Sequence, residues 1–82
     1  MKIKGNIAIS DNGFMFDPYS GDSYNLNPTA VEIIKLLKKG KTKEEIISDF
    51  VQKYDVDQFT FEQNLDDFLA MLTHYDLVEN PQ

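Results

Sequence analysis

The sequence predicts an α+β domain, a small antiparallel sheet followed by helices. Three observations lead there. Short runs with apolar residues at alternate positions, separated by turn residues, fill the first 26 residues, a 3.6-residue period takes over afterwards, and Asn27-Pro28 stands at the change. Asn suits a helix N-cap, and Pro suits the first helical position, where a missing N–H leaves nothing unsatisfied.

Ile3, Ile7 and Ile9 alternate as a first strand, and Asp11-Asn12-Gly13 is a turn signal leading into Phe14-Met15-Phe16. A second group of turn residues, Asp17-Pro18-Tyr19-Ser20-Gly21, precedes a third strand over Asp22, Ser23, Tyr24, Asn25 and Leu26, in which Tyr24 and Leu26 face inward. The first helix runs over roughly residues 28–39, buries Val31, Ile34 and Leu37 or their neighbours, and stops at Gly40. Thr42-Lys43-Glu44-Glu45 is a capping box for a second helix with Ile46, Ile47, Phe50, Val51 and Tyr54 on its inner face. After an acidic linker at residues 55–59, Thr60-Phe61-Glu62-Gln63 reads as a second capping box. It opens a third helix with the stripe Phe61, Leu65, Phe68, Leu69, Leu72 and Tyr75. A three-stranded sheet cannot cover its apolar face alone, so the βββααα order predicts a winged helix-turn-helix-like arrangement. No repeat or linker divides the 82 residues, so residues 1–82 are expected to form a single domain.

Composition narrows the function classes. There is no Cys, which removes disulfides, thiolate metal ligands and Cys nucleophiles. No stretch approaches the roughly 18 apolar residues of a membrane span, and the N-terminal residues lack a signal-like apolar run, so a cytoplasmic location without membrane contact is expected. Net charge is −6, there is no Arg, and residues 55–82 carry seven acidic residues and no Lys. In a DNA-binding domain of this order, the third helix would meet the phosphates. Its first half instead holds Glu62, Asp66 and Asp67, which argues against a nucleic-acid partner. The Lys35, Lys38, Lys39, Lys41 and Lys43 cluster lies at the junction of the first two helices and reads as a solvated surface.

Chemistry is sparse. His74 is the only histidine, and although Asp67 lies two turns back, a metal site needs further converging ligands. Asp66-Asp67, Glu44-Glu45 and the Asp55/Asp57 pair diverge along their backbones and suit solvated faces better than an acid/base dyad. Nucleophile-elbow, phosphate-loop and dinucleotide motifs are missing. Neither catalysis nor a cofactor is expected.

The third strand is the feature with a use. A meander leaves its last strand with unpaired N–H and C=O groups, which proteins either blunt or use to add a strand from another chain. Asp22, Ser23, Tyr24, Asn25 and Leu26 carry one protective charge, and the third helix would form the other wall of a groove. On a helical projection Asn64, Asp67, Phe68, Met71 and Tyr75 share the flank of that helix, giving an acidic, adaptable wall suited to a basic peptide. The plainer alternative is that Phe68 and Tyr75 complete the core and Met71 is incidentally exposed. The same strand edge also suits a weak homodimer as well as a monomer.

Taken together, Tyr24-Asn25-Leu26-Asn27-Pro28-Thr29-Ala30-Val31-Glu32-Ile33-Ile34, the segment Gly40-Lys41-Thr42-Lys43-Glu44-Glu45-Ile46-Ile47, Tyr54, and Phe68-Leu69-Ala70-Met71-Leu72 with Leu77-Val78 resemble the PqqD family. That family is named for a protein of pyrroloquinoline quinone (PQQ) biosynthesis and includes recognition elements for ribosomally made, post-translationally modified peptides (RiPPs). The resemblance implies a peptide chaperone, not an enzyme: a precursor's leader peptide would pair with the third strand, pack against the third helix, and be presented to a modifying enzyme such as a radical SAM protein. The site residues it implies are Asp22, Ser23, Tyr24, Asn25, Leu26, Asn64, Asp67, Phe68, Met71 and Tyr75. The alternatives are a general protein-interaction module and, further off, a winged-helix DNA-binding protein.

Overall fold

Period-two patterning builds a meander, and the helices that follow cover one of its faces. A computed structural model of the chain describes residues 2–79. Its order is β1 (Lys2–Ile3), β2 (Ala8–Ile9), β3 (Phe14–Asp17), β4 (Asp22–Asn25), α1 (Pro28–Lys38), α2 (Lys43–Lys53), α3 (Gln58–His74) and β5 (Val78–Glu79). Strands β2, β3 and β4 form the expected three-stranded antiparallel sheet ahead of three helices.

The first strand departs from expectation. The alternation of Ile3, Ile7 and Ile9 is cut by a turn in which the Ile7 N–H donates to the Lys4 carbonyl at 3.1 Å, so the segment becomes two strands. β2 joins the meander, while β1 pairs antiparallel with β5, with Ile3 opposite Val78. The two-residue β5 was not anticipated. It exists because Leu77 and Val78 are buried and return the chain from α3 to the N-terminal segment, where the Lys4 N–H donates to the Leu77 carbonyl at 3.1 Å. Ile3 and Ile7 stay buried on either side of the break, which is why the alternation looked continuous.

The core runs from Met15 on the sheet through Ile34, Leu37, Ile46, Leu65 and Leu72 of the helices to Leu77. At helix α1, the Asn27 side chain accepts from the Ala30 N–H at 2.8 Å, so the N-cap is where the sequence places it. The helix ends in a Schellman motif: the Gly40 N–H donates to Leu37 and the Lys41 N–H to Leu36, with Gly40 at φ 85°. The Thr42/Glu45 capping box at α2 is present in both directions, at 2.8 and 3.1 Å. At α3 the expected start is corrected. Asp57, not Thr60, is the N-cap; its carboxylate accepts from both the backbone N–H and the hydroxyl of Thr60, each at 2.9 Å. Ionised Asp is the stronger acceptor and lies ahead of Thr60, so the helix begins three residues earlier.

Candidate functional site

Which backbone groups of β4 are free follows from its ladder. The Leu26 N–H donates to the Gly13 carbonyl at 2.7 Å, and Met15 lies opposite Tyr24. On the other side of β3, the Ser10 N–H donates to the Phe14 carbonyl at 2.8 Å. In an antiparallel ladder, bonding residues alternate. Asp22, Tyr24 and Leu26 therefore turn their N–H and C=O groups toward β3, and Ser23 and Asn25 turn theirs away from the sheet. The sheet order is β2-β3-β4, so among the described residues no strand pairs with that outer border. Gly13 fixes the end of the ladder: its φ is 93°, and a Cβ there would sit 2.5 Å from the Leu26 carbonyl oxygen.

Side chains alternate with the opposite sense. Tyr24 and Leu26 are half-buried against the core, whereas Ser23 and Asn25 lie on the exposed face with Phe14 and Phe16 of β3. The inner face of β4 meets α3 at two levels. At the C-terminal end of the helix, the Tyr24 and Tyr75 rings are 5.5 Å apart and tilted by 59°. Nearer the helix middle, Asn64, Leu65 and Phe68 border a cleft of about 380 Å³ together with Asn27 and Ala30, where β4 passes into α1. Burial, and then the nearby carboxylates of Asp22 and Asp17, push the Tyr24 hydroxyl above the ordinary tyrosine pKa.

The structure thus brings Tyr24 to Tyr75 and the end of β4 to Asn64 and Phe68. Phe68 and Met71 are half-buried against the core, and Phe68 also borders this cleft. Tyr75, on the apolar stripe by periodicity, is 50% exposed, because α3 ends at His74 and the chain reverses there. Leu26 lies one residue beyond β4, still held by its N–H to Gly13. Asp67 is exposed on the same helix and takes part in none of the ion pairs among the described residues.

The other candidates sit elsewhere. His74 is exposed and lies edge-on to Tyr75 at 5.2 Å. Among the described residues, no group of three or more His, Asp and Glu side chains gathers to hold a metal ion. The lysine cluster is largely engaged within the chain: Lys35 pairs with Asp11, Lys43 with Asp66, and Lys38 donates to the Ile7 carbonyl at 2.7 Å.

Sequence reasoning missed a cleft of about 620 Å³ between the start of α1, the end of α2 and the start of α3. Its floor is the stacked pair Phe50 and Phe61, with centroids 4.6 Å apart. On its wall the Tyr54 hydroxyl donates to Glu32 at 2.7 Å, which together with Lys53 holds the Glu32 carboxyl below its ordinary pKa. It shares Thr29, Phe61 and Asn64 with the lining of the smaller cleft. The available signal was Tyr54 and Val56 at a helix end; an inner-face assignment for Tyr54 hid it, and the ring is 41% exposed.

Among curated proteins, none matches the chain. A structure of TbiB1 in complex with the TbiA(beta) leader peptide is 32% identical, with a TM-score of 0.87 over 100% of this chain and 99% of the other. A lasso peptide synthetase B1 complexed with the leader peptide is 22% identical, with a TM-score of 0.80 over 98% and 96% of the two chains, and shares the fold. The family model for coenzyme PQQ synthesis protein D matches residues 12–78, from the β2–β3 turn through α3 to the start of β5, and the chain belongs to the PqqD family.

Proposed function

We propose that this chain binds the leader segment of a ribosomally made precursor peptide by strand addition at β4 and presents it to a separate modifying enzyme, a radical SAM protein or similar. The carrying observation is the outward orientation of the Ser23 and Asn25 backbone groups beside the wall formed by α3. Main-chain hydrogen bonds at such an edge give affinity, and the adjoining groove gives selectivity. TbiB1, 32% identical over its whole length, is a protein solved with a leader peptide, which supports the same class of ligand here.

In this reading residues 1–82 act as one peptide-recognition domain, with Asp22, Ser23, Tyr24, Asn25 and Leu26 as the pairing strand and Asn64, Asp67, Phe68, Met71 and Tyr75 as the facing wall. The protein is a carrier, not a catalyst: Asp57 and Glu45 cap helices, Asp66 is held in a surface ion pair, and the pairing strand offers backbone groups to its ligand. Among the described residues no helix is long and apolar enough to cross a membrane, in keeping with action in the cytoplasm. The acidic wall argues against a nucleic-acid partner. A monomer leaves the β4 edge free for peptide, so that state, or a weak homodimer that peptide displaces, is the functional one.

The test is a titration of the full chain with the leader peptide of a precursor encoded beside it, followed by amide hydrogen exchange. Saturable binding with slowed exchange at Ser23 and Asn25 supports the proposal. Saturable binding that leaves both amides unchanged overturns the strand-addition mode, and no binding to any neighbouring leader overturns the function.

A further inference from the structure

The groove differs along its length in a way that dictates peptide sequence, an inference that rests on the strand-addition reading above. Since Ser23 and Asn25 carry the free donors and acceptors, an antiparallel strand must place a hydrogen-bonded residue opposite each. The peptide residue between those two then lies opposite Tyr24 as a non-bonded pair, with Cα atoms about 4.5 Å apart and its side chain on the inner face. This holds for every antiparallel peptide in any register, because β4 alone fixes it.

At that level the space between strand and helix is already occupied. The Tyr24 ring reaches from β4 to the Tyr75 ring at 5.5 Å, and the two bridge the groove. Two peptide residues earlier, toward the peptide N-terminus, the next inward side chain faces Leu26 and Asn27. There the wall recedes into the cleft of about 380 Å³ bordered by Ala30, Ile33, Leu65 and Phe68. That volume lies within the roughly 300–1,000 Å³ of ordinary ligand pockets and exceeds the needs of one side chain.

We propose that Tyr24 and Tyr75 are specificity-determining residues: together they require a small residue in the peptide at the position facing Tyr24, and the cleft beside Phe68 accepts a large apolar residue two positions toward the peptide N-terminus. The resulting pattern is large apolar, any residue, small. The intervening residue faces away with Ser23 and Asn25 and is left unread by the groove.

The test is selection of displayed random linear peptides on the full chain, on Tyr75→Ala and on Tyr75→Phe, with amide exchange of each winning complex. Tyr75 is half exposed, so its truncation leaves the core intact. The intact chain and Tyr75→Phe are expected to enrich the large–any–small pattern, and Tyr75→Ala to enrich large–any–large. A selected peptide whose small residue is replaced by Leu should bind Tyr75→Ala about tenfold or more tighter than the intact chain, the scale at which a closed pocket rejects added methylenes. The same pattern on all three proteins, with Ser23 and Asn25 amides protected, overturns this inference and leaves strand addition standing. Unprotected amides in the winning complexes overturn both.

Discussion

The Tyr24 ring on β4 and the Tyr75 ring at the end of α3 lie 5.5 Å apart, forming a direct side-chain bridge between the free sheet edge and the helix that faces it. The bridge couples the position of the edge strand to the helix terminus. Tyr75→Ala is expected to lower stability by only about 1 kcal/mol, the scale of an aromatic pair with modest burial. Urea unfolding followed by far-ultraviolet circular dichroism measures it. A loss above about 3 kcal/mol would mean that Tyr75 belongs to the core after all.

Proline scanning of β4 separates its two sides. The Tyr24 N–H belongs to the ladder with β3, so Tyr24→Pro removes an internal hydrogen bond and should unfold the hairpin or lower the melting midpoint sharply. The Asn25 N–H points out of the sheet, a place where edge strands tolerate Pro. Asn25→Pro is therefore expected to keep the helix signal and the melting midpoint near those of the parent while losing most peptide affinity. Calorimetric titration of folded Asn25→Pro checks this, and undiminished affinity would remove the backbone edge from the binding mode.

Much of this geometry is legible in the sequence. Asn27-Pro28, Gly40 and the Thr42/Glu45 box mark helix ends through local hydrogen bonding, so short-range pattern suffices to place them. The β3 and β4 strands follow from alternation and turn residues for the same reason. What escaped depends on contacts distant in sequence. The break at Lys4–Ile7 arises because Ile3 pairs with Val78, and nothing near Ile3 announces a partner so far along the chain. Tyr54 has the helical spacing of an inner face, yet it lies at a helix end where its hydroxyl donates to Glu32 on the wall of the 620 Å³ cleft. Periodicity puts the candidate residues of α3 on one flank, but only the fold shows that Tyr75 touches β4 while Asp67 is exposed.

Acid should destabilise the protein through its helix caps. Backbone N–H donors at Thr42 and Thr60 hold the Glu45 and Asp57 carboxyls below their ordinary pKa values, and Lys35 does the same for Asp11. A carboxyl whose folded pKa lies below its unfolded one contributes stability above the unfolded value and loses it as pH falls through the folded one. The melting midpoint is therefore expected to be level from pH 7 to about 5 and to fall below about 4, where unfolded carboxylates begin to take up protons. Combining Asp57→Asn with Glu45→Gln keeps neutral capping groups and should flatten that fall. Parallel curves for the parent and the double variant would show that the caps are not the source.

The end of α3 holds a removable strain. Asp76 is the one described non-glycine residue with positive φ, at 58°, and it occupies the position after the C-cap where glycine is favoured. The turn is a Schellman motif: the Leu77 N–H donates to Leu72 at 2.9 Å and the Asp76 N–H to Thr73 at 3.0 Å, with buried Leu77 closing over buried Leu72. A carboxylate here also faces the negative end of the helix dipole. Against these costs stands the Lys4–Asp76 ion pair at 3.0 Å, but the Asp76 side chain is 86% exposed, and such pairs contribute little. Backbone relief should win, so Asp76→Gly is expected to stabilise the fold by about 1 kcal/mol. Asp76→Ala, which keeps the backbone strain and loses the pair, should not. Equilibrium urea unfolding of both variants decides between them: equal stability in the two would show that the left-handed conformation at residue 76 carries no cost.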